Sequence, residues 1–136
     1  MVVYPVYAGN TAQEEMNKKT VVAFYDAFIN QKDFDAAAKY VGPRYTQHNP
    51  MGADNLEGIK NFVQFLHEKV PQYHTEFKRV FADGDYVIIH AHAKMNPEDR
   101  GYAVMDIFKL ENGKVVEHWD VVQAIPEKAF NTNTMF

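Results

Sequence analysis

The chain contains no cysteine among its 136 residues. This absence excludes disulfide bonds, thiolate catalysis and metal sites that depend on cysteine ligands. No apolar run approaches the roughly 18 residues that a membrane-spanning helix needs. The first ten residues have no basic start, and their short apolar run is broken by Pro5, so we expect no secretory signal. We therefore expect a cytoplasmic protein with no membrane partner.

An excess of charge of one sign is also missing. The net charge is −4, and the 14 basic and 18 acidic residues are scattered along the chain. This pattern argues against nucleic acid as a partner. The chain has neither a phosphate-cradling glycine loop nor a nucleophile elbow, so we expect neither nucleotide use nor acyl-enzyme chemistry. Apolar residues are plentiful instead, at 46% with ten Phe and eight Tyr, which is enough for a sizeable core in one domain.

Helical and strand periodicities divide the chain into two halves. Apolar residues recur at helical spacing in the first half, where Thr11 with Glu14 and Asp54 with Glu57 form capping-box patterns, and Asp33 is placed to cap a short helix. The second half alternates with a period of two, which is typical of strands. The predicted helices cover 12–31, 34–40 and 55–69, and the predicted strands cover 73–82, 86–95, 101–110 and 114–123.

Helices followed by strands predict a segregated α+β fold. We expect one curved antiparallel sheet with three N-terminal helices packed on its concave face, in a single domain over 1–136 with a core of about 12–126. The N-terminal arm is expected to be extended, and the C-terminal tail is expected to be loosely held. A curved sheet covered by helices leaves a one-ended pocket, which is a common position for a small-molecule site.

Asp106 is the residue from which the functional interpretation starts, because its neighbours in the strand 101–110 are apolar on both sides. A carboxylate taken out of water must be hydrogen-bonded, paired or protonated. A symmetric hairpin centred within 96–101 places His92 opposite Asp106. Burial would raise the pKa of this carboxyl group, so that the pair could transfer a proton near neutral pH. A structural role for both side chains is the alternative.

Trp119 alternates with His118 and Asp120, so a regular strand points the tryptophan and the two polar residues to opposite faces. We favour Trp119 in the pocket, with the other two at a subunit interface, and the reverse stays open. Histidines of the strand 86–95, together with His118 and Asp106, offer potential metal ligands. No motif with a mechanistic spacing such as His-Glu-x-x-His is present, so we expect no metal and no cofactor.

Three stretches of the sequence carry a family likeness, namely YTQHNP over 45–50, RVFADGDYV over 79–87 and DIFKLENGKVVEHWD over 106–120. Together they resemble the SnoaL-like polyketide cyclase family. The likeness extends over roughly 14–126 and implies the cone-shaped fold of nuclear transport factor two and ketosteroid isomerase. In the characterised cyclases, an aspartate on a central strand is the general acid/base of an aldol condensation without metal or cofactor, and a histidine on the preceding strand assists it. The matching positions here are Asp106 and His92.

Two functions from different classes are compatible with these observations. The first is a cofactor-independent enzyme acting on a small hydrophobic carbonyl compound by cyclase-like aldol condensation, isomerisation or dehydration, with Asp106 and His92 as its acid/base pair and His48 at the pocket mouth. The alternative is a non-catalytic small-molecule-binding or interaction module on the same fold. We also expect a homodimer through the sheet, with Val87 and Ile89 on a convex apolar face. The predicted substrate-binding residues are Tyr25, Phe28, Tyr45, Phe65, His90, Phe108 and Trp119.

Overall fold

The computed structural model of the protein describes residues 11–136, and the predicted N-terminal arm lies outside them. The described chain forms three α-helices and five strands, and a π-helical turn extends the first helix. No helix in this part of the chain is long and apolar enough to cross a membrane. The elements are α1 (Ala12–Tyr25), the π-turn (Asp26–Asn30), α2 (Phe34–Ala38), β1 (Val41–Gln47), α3 (Asn55–Lys69), β2 (His74–Asp83), β3 (Tyr86–Lys94), β4 (Tyr102–Glu111) and β5 (Lys114–Ala124).

The strands form one curved, open sheet in the order β1-β5-β4-β3-β2, which confirms the predicted α+β fold. Strands β2 to β5 are antiparallel, whereas β1 pairs with β5 in parallel. Strand β1 was not predicted, because Gly42 and Pro43 are residues that weaken a strand. Both are tolerated here because β1 lies at the edge of the sheet.

The helix boundaries follow local capping with one exception. Thr11 and Glu14 form the predicted capping box, and the Asp33 side chain accepts a hydrogen bond from the backbone N–H of Ala36. The predicted capping box at Asp54 is wrong, because this side chain accepts a hydrogen bond from the backbone N–H of Gln47 at 2.8 Å instead. Asp54 therefore joins the start of α3 to the end of β1.

The hairpin between β3 and β4 sets which side chains of β3 face the helices. Ile89 lies opposite Asp106, and His92 lies opposite Ala103. The predicted pairing of His92 with Asp106 is therefore wrong: the ladder is displaced by three residues, and an odd displacement exchanges the two faces of a strand. The predicted convex position of Val87 and Ile89 is wrong for the same reason, because both are fully buried on the concave face.

A bulge at Val116 sets the orientation of β5. A regular ladder from the Asn112-Gly113 turn would place Trp119 opposite Asp106, since Glu111 pairs with Lys114 at the start of the hairpin. The register instead shifts after Leu110, and Val115 and Val116 are both fully buried. His118 and Asp120 consequently turn toward the concave face. The favoured inward orientation of Trp119 is wrong.

The sequence predicts a loosely held C-terminal tail, whereas in the structure the end of the tail contacts the sheet. The ring of Phe136 stacks on the imidazole of His92 at 4.5 Å between centroids and lies 5.4 Å from that of His90. The end of the tail therefore lies against the convex face of the sheet.

Candidate active site

A cavity of about 170 Å³ opens between the concave face of the sheet and the helices. The π-turn at the end of α1 contributes Phe28 and Ile29 to its wall, in keeping with the frequent occurrence of such turns at functional sites. Asn30, in the same turn, holds it to the sheet through hydrogen bonds with the backbone N–H and C=O of Thr75. The aromatic lining residues are Tyr25, Phe28, Tyr45, Phe62, Tyr73 and Phe108.

A buried aspartate–histidine pair lies in the wall of this cavity. Asp106 is 2% exposed, and its Oδ1 lies 2.8 Å from Nε2 of His118. The bulge in β5 brings the two together: Phe108 is directly opposite His118 and Asp120 is directly opposite Asp106, so His118 reaches Asp106 diagonally across the ladder. The burial of an acid on β4 was predicted correctly, but its histidine partner comes from the following strand.

Gln47 determines which nitrogen of His118 carries a proton. The Gln47 Oε1 atom accepts the backbone N–H of Asn49 at 2.9 Å, which fixes the orientation of the side-chain amide. The same oxygen lies 2.8 Å from Nδ1 of His118, so Nδ1 must be the donor. The contact between Nε2 and Asp106 Oδ1 then contains one proton, carried either by the imidazole or by the carboxyl group. His118 and Asp106 thus form a pair that can hold or release a proton.

The surroundings of Asp106 favour its protonated form. Burial raises the pKa of this carboxyl group, the hydrogen bond and charge of His118 act in the opposite direction, and the nearby Asp120 carboxylate raises the pKa further. Its second oxygen, Oδ2, is buried without a hydrogen-bond partner among residues 11–136. The Tyr25 hydroxyl lies near Asp106 without reaching the geometry of a hydrogen bond to Oδ2. This oxygen can therefore accept a hydrogen bond from a ligand group.

The tyrosine hydroxyls of the cavity are hydrogen-bond donors at any ordinary pH. Burial raises the pKa of Tyr25 well above its usual value and that of Tyr73 to about 12. Neither group ionises near neutrality, so each can donate to an oxygen atom of a ligand.

Asn49 positions the second acid. Its side-chain Nδ2 donates to both carboxylate oxygens of Asp120 at 2.9 Å, and its Oδ1 accepts the backbone N–H of Met51 at 2.8 Å. The end of β1 thus supports His118 through Gln47, and the loop that follows supports Asp120 through Asn49. Sequence analysis missed both supporting residues. The available signal was that Gln47 and Asn49 flank His48 and, in an extended chain, point to the face opposite to that of His48.

Five of the ten predicted site residues line the cavity, namely Asp106, Tyr25, Phe28, Tyr45 and Phe108. Among the described residues, the other five lie outside the lining, and the predicted positions of these five are wrong. His90, His92 and Trp119 lie on the convex face, as the strand registers require. His48 stacks on Trp119 at 4.7 Å between ring centroids, and its Nε2 lies 2.8 Å from Glu117 Oε1. Phe65 is 48% exposed and packs beside Phe62, which reaches the cavity in its place.

Three potential metal ligands also meet in this part of the described structure. Donor atoms of Asp106, His118 and Asp120 all lie within 4.8 Å of one another. The Gln47 hydrogen bond to Nδ1 resembles the outer support that metal-binding histidines usually have. Two of the three donors are, however, bonded to each other at 2.8 Å, and this contact would have to open for a cation to bind both.

Comparison with known proteins gives a consistent family assignment. A model of the SnoaL-like domain matches residues 21–118. No curated protein matches the chain. Among solved structures, a protein described as a SnoaL-like polyketide cyclase from Jannaschia sp. CCS1 has a TM-score of 0.71 and 20% identity, covering 85% of this chain and 90% of its own. An LEH-like epoxide hydrolase from M. tuberculosis has a TM-score of 0.62 and 19% identity, and the match covers 82% of this chain and 85% of that one.

A third similar structure is a protein described as a ketosteroid isomerase from Kribbella flavida DSM 17836. Its TM-score is 0.68 at 12% identity, and the match covers 88% of this chain and 86% of that one. At these identities the structural likeness establishes the shared fold.

Proposed function

Because this chain belongs to the SnoaL-like domain family, we propose that it is a small cofactor-independent enzyme in which Asp106 and His118 move protons on a hydrophobic carbonyl compound. The observation that carries this proposal is the buried carboxyl group hydrogen-bonded to a histidine in the wall of an apolar cavity. A carboxyl group with a raised pKa and a bound imidazole can act as general base and general acid near neutral pH.

The geometry supports different roles for the two carboxyl oxygens of Asp106 and for the tyrosine hydroxyls. The free Oδ2 of Asp106 removes a proton from the carbon next to the substrate carbonyl, while Oδ1 keeps its hydrogen bond to His118. The electron pair of the broken C–H bond moves to the carbonyl oxygen, where a tyrosine hydroxyl such as that of Tyr25 or Tyr73 can donate a hydrogen bond. Asp106 then returns the proton to another carbon in an isomerisation, to a leaving hydroxyl in a dehydration, or to the new alkoxide in an aldol condensation. All three reactions begin with the same proton abstraction.

The first step can be tested without knowing the natural substrate. In D₂O, we expect the protein to exchange the α-protons of small cyclic ketones for deuterium, followed by NMR. Asp106→Asn should lower this exchange by about 10²–10⁴-fold, which is the usual contribution of general acid–base catalysis. Phe65→Ala, at a half-exposed ring outside the cavity, is the control that should keep full activity. Equal exchange by the protein and by Asp106→Asn would refute the proposed role of Asp106.

A non-catalytic binding module is the second candidate, and one observation favours it. The Oδ2 atom of Asp106 has less than 1 Å² of accessible surface, so a substrate must displace neighbouring side chains before it reaches this oxygen. A natural ligand recovered unchanged from the purified protein, together with no proton exchange in D₂O, would favour the module.

We also propose that two copies associate through the convex face of the sheet. Phe81, Ile88, Ile107 and Trp119 are paired in succession across four strands, which makes an apolar row. Val121 and Met105 extend this surface in the next row, and Val121 is 73% exposed. Contiguous apolar surface of this kind is typical of a subunit interface, and a two-fold axis would cover the same row on both copies.

A further inference from the structure

The cavity wall contains more acidic than basic side chains. Asp106 and Asp120 both line it, and His118 is the one side chain there that can carry a positive charge. No lysine or arginine lines the cavity in the part of the chain that the structure describes. A carboxylate beside apolar walls is expensive unless it is paired with a cation or a proton.

Counting protons leaves one negative charge without a partner. The contact between His118 Nε2 and Asp106 Oδ1 contains a single proton, so the pair is neutral overall in either arrangement. Asp120 remains, and the Asn49 amide that donates to its two oxygens is uncharged. His118 Nε2 lies 3.9 Å from Asp120 Oδ2, which is beyond hydrogen-bond distance. The buried Oδ2 of Asp106 adds an acceptor with no donor among residues 11–136.

The remaining walls suit an organic cation. Aromatic rings from Tyr25, Phe28, Tyr45, Phe62 and Phe108 surround the cavity, and the face of such a ring attracts a cationic group within about 6 Å. A cavity of about 170 Å³ is close to the size of an engineered cavity of roughly 150 Å³ that holds benzene. A single ring bearing a short substituent therefore fits the enclosed volume, whereas a fused polycyclic compound does not.

We propose that the natural ligand is a small organic ammonium compound, of about one ring in size, whose charged nitrogen lies between Asp120 and the free oxygen of Asp106. One N–H of the ligand would donate to Asp120, a second would donate to Oδ2 of Asp106 after the side chains that cover this oxygen move aside, and the apolar body would lie against the aromatic walls. This proposal rests on the proposed function only in using the same cavity. For an enzyme, it means that the substrate carries a protonated amine, or an iminium in place of the carbonyl, and that its nitrogen donates to Asp120 alone while Oδ2 of Asp106 removes the proton from carbon.

Isosteric probes test the charge preference directly. At pH 7 and low salt, calorimetry or ligand-observed NMR would compare benzylamine, benzyl alcohol and benzoate, which share a ring and differ in charge. We expect benzylamine to bind at least about tenfold more tightly than benzyl alcohol, since a tenfold ratio needs about 1.4 kcal/mol, and we expect no measurable binding of benzoate. Benzylamine binding should also weaken as salt is added, to a smaller extent than for a surface pair.

Matched variants assign the preference to Asp120. Asp120→Asn should abolish the advantage of benzylamine while benzyl alcohol binding is kept, which also shows that the variant is folded. Glu117→Gln removes an acid of β5 that lies outside the cavity lining and bonds to His48, and it should leave the preference unchanged. Equal binding of benzylamine and benzyl alcohol, or an unchanged preference in Asp120→Asn, would overturn the proposal.

A divalent cation is the competing occupant. Titration with Zn²⁺ or Mn²⁺ alone supports the proposal if neither ion binds at micromolar concentration. Stoichiometric metal binding that is lost in Asp120→Asn and that displaces benzylamine would overturn it.

The experiments distinguish failure of the proposed catalytic function from failure of the proposed ligand class. Asp106→Asn keeps Asp120, so it should keep the preference for benzylamine even where proton exchange is lost. A benzylamine preference without any proton exchange in the unmodified protein would support the proposed ligand class and refute the proposed catalytic function.

Discussion

At the scale of single residues, two acidic side chains that face each other in the sheet oppose folding. Asp106 and Asp120 are directly paired on neighbouring strands, where like charges destabilise a ladder. His118 and Asn49 offset this cost by binding one acid each. Side chains that lower stability in this way are typical of sites that natural proteins keep for function.

The raised pKa of Asp106 has a consequence for stability. The folded protein holds this proton at pH values where the unfolded chain, with an ordinary aspartate pKa of about 3.9, has lost it. The free energy of unfolding therefore falls as pH rises through the window between the two pKa values, by about 1.4 kcal/mol per unit of difference. The side chain in Asp106→Asn does not titrate, and its amide can donate to His118 Nε2. We therefore expect this variant to be more stable than the unmodified protein at pH values above this window.

Urea unfolding between pH 4 and pH 8 measures this difference. The gain should shrink toward pH 4, and Glu127→Gln, at an exposed acid of the tail, should show no such trend. A variant that is less stable than the protein by the same amount at every pH would contradict the prediction.

Gln47 is a positioning residue for His118, and its role can be separated from packing. Gln47→Leu leaves the Nδ1 proton without its acceptor, which costs about 1–3 kcal/mol, and it should abolish most of the proton-exchange activity. Gln47→Glu keeps an acceptor for both donors and adds a negative charge, so the His118–Asp106 pair should hold its proton to higher pH. We therefore expect this variant to stay active with its pH–rate profile moved to higher pH. Full activity in Gln47→Leu would show that the hydrogen bond does not position His118.

At the scale of elements, one bulge decides the composition of the site. The extra residue, Val116, turns His118 and Asp120 inward and Trp119 outward. Its side chain packs against β1 at Gly42, where an added Cβ would lie 2.7 Å from Val116 Cγ1. The parallel pairing of β1 with β5 and the bulge are thus fitted to each other.

Because of this contact, we expect substitutions at Gly42 and Val116 to have coupled effects on stability. Gly42→Ala should destabilise the protein by about 1–3 kcal/mol through overpacking and should shift the imidazole NMR signals of His118. Val116→Ala removes the clashing methyl group, so the double variant should lose less stability than the two single losses added together. Denaturation of the four proteins gives this interaction energy directly. Additive losses with unchanged His118 signals would mean that Gly42 does not support the bulge.

At the scale of the whole molecule, the convex face predicts the oligomeric state. Ile107 lies near the centre of the apolar row and is 38% exposed. Ile107→Lys should convert a dimer to a monomer in light scattering at micromolar concentration, because it places like charges together across a two-fold axis. Leu56→Lys, at an apolar residue of α3 that is 40% exposed, should remain a dimer. A monomeric unmodified protein under the same conditions would rule out the interface.

Local patterns in the sequence predict the elements well, with the exception of β1. The third helix spans its predicted range of 55–69, and the strand β3 spans Tyr86–Lys94 against a predicted 86–95. The family likeness found in the sequence is confirmed by the domain match over 21–118. The burial of Asp106 was also predictable, because its apolar neighbours are adjacent in the chain. The elements and the burial of Asp106 both depend on residues within a few positions of one another.

The histidine partner of Asp106 depends on something that local pattern does not contain. Sequence alone indicated His92, whereas the tertiary structure brings His118 to the acid. The loop length between β3 and β4 and the bulge at Val116 set the two registers, and the packing of whole strands against the helices selects them. Because side chains alternate with a period of two, each odd displacement moves every later residue of the strand to the other face. The sequence therefore determined that an acid is buried, and only the tertiary structure decided which residues surround it.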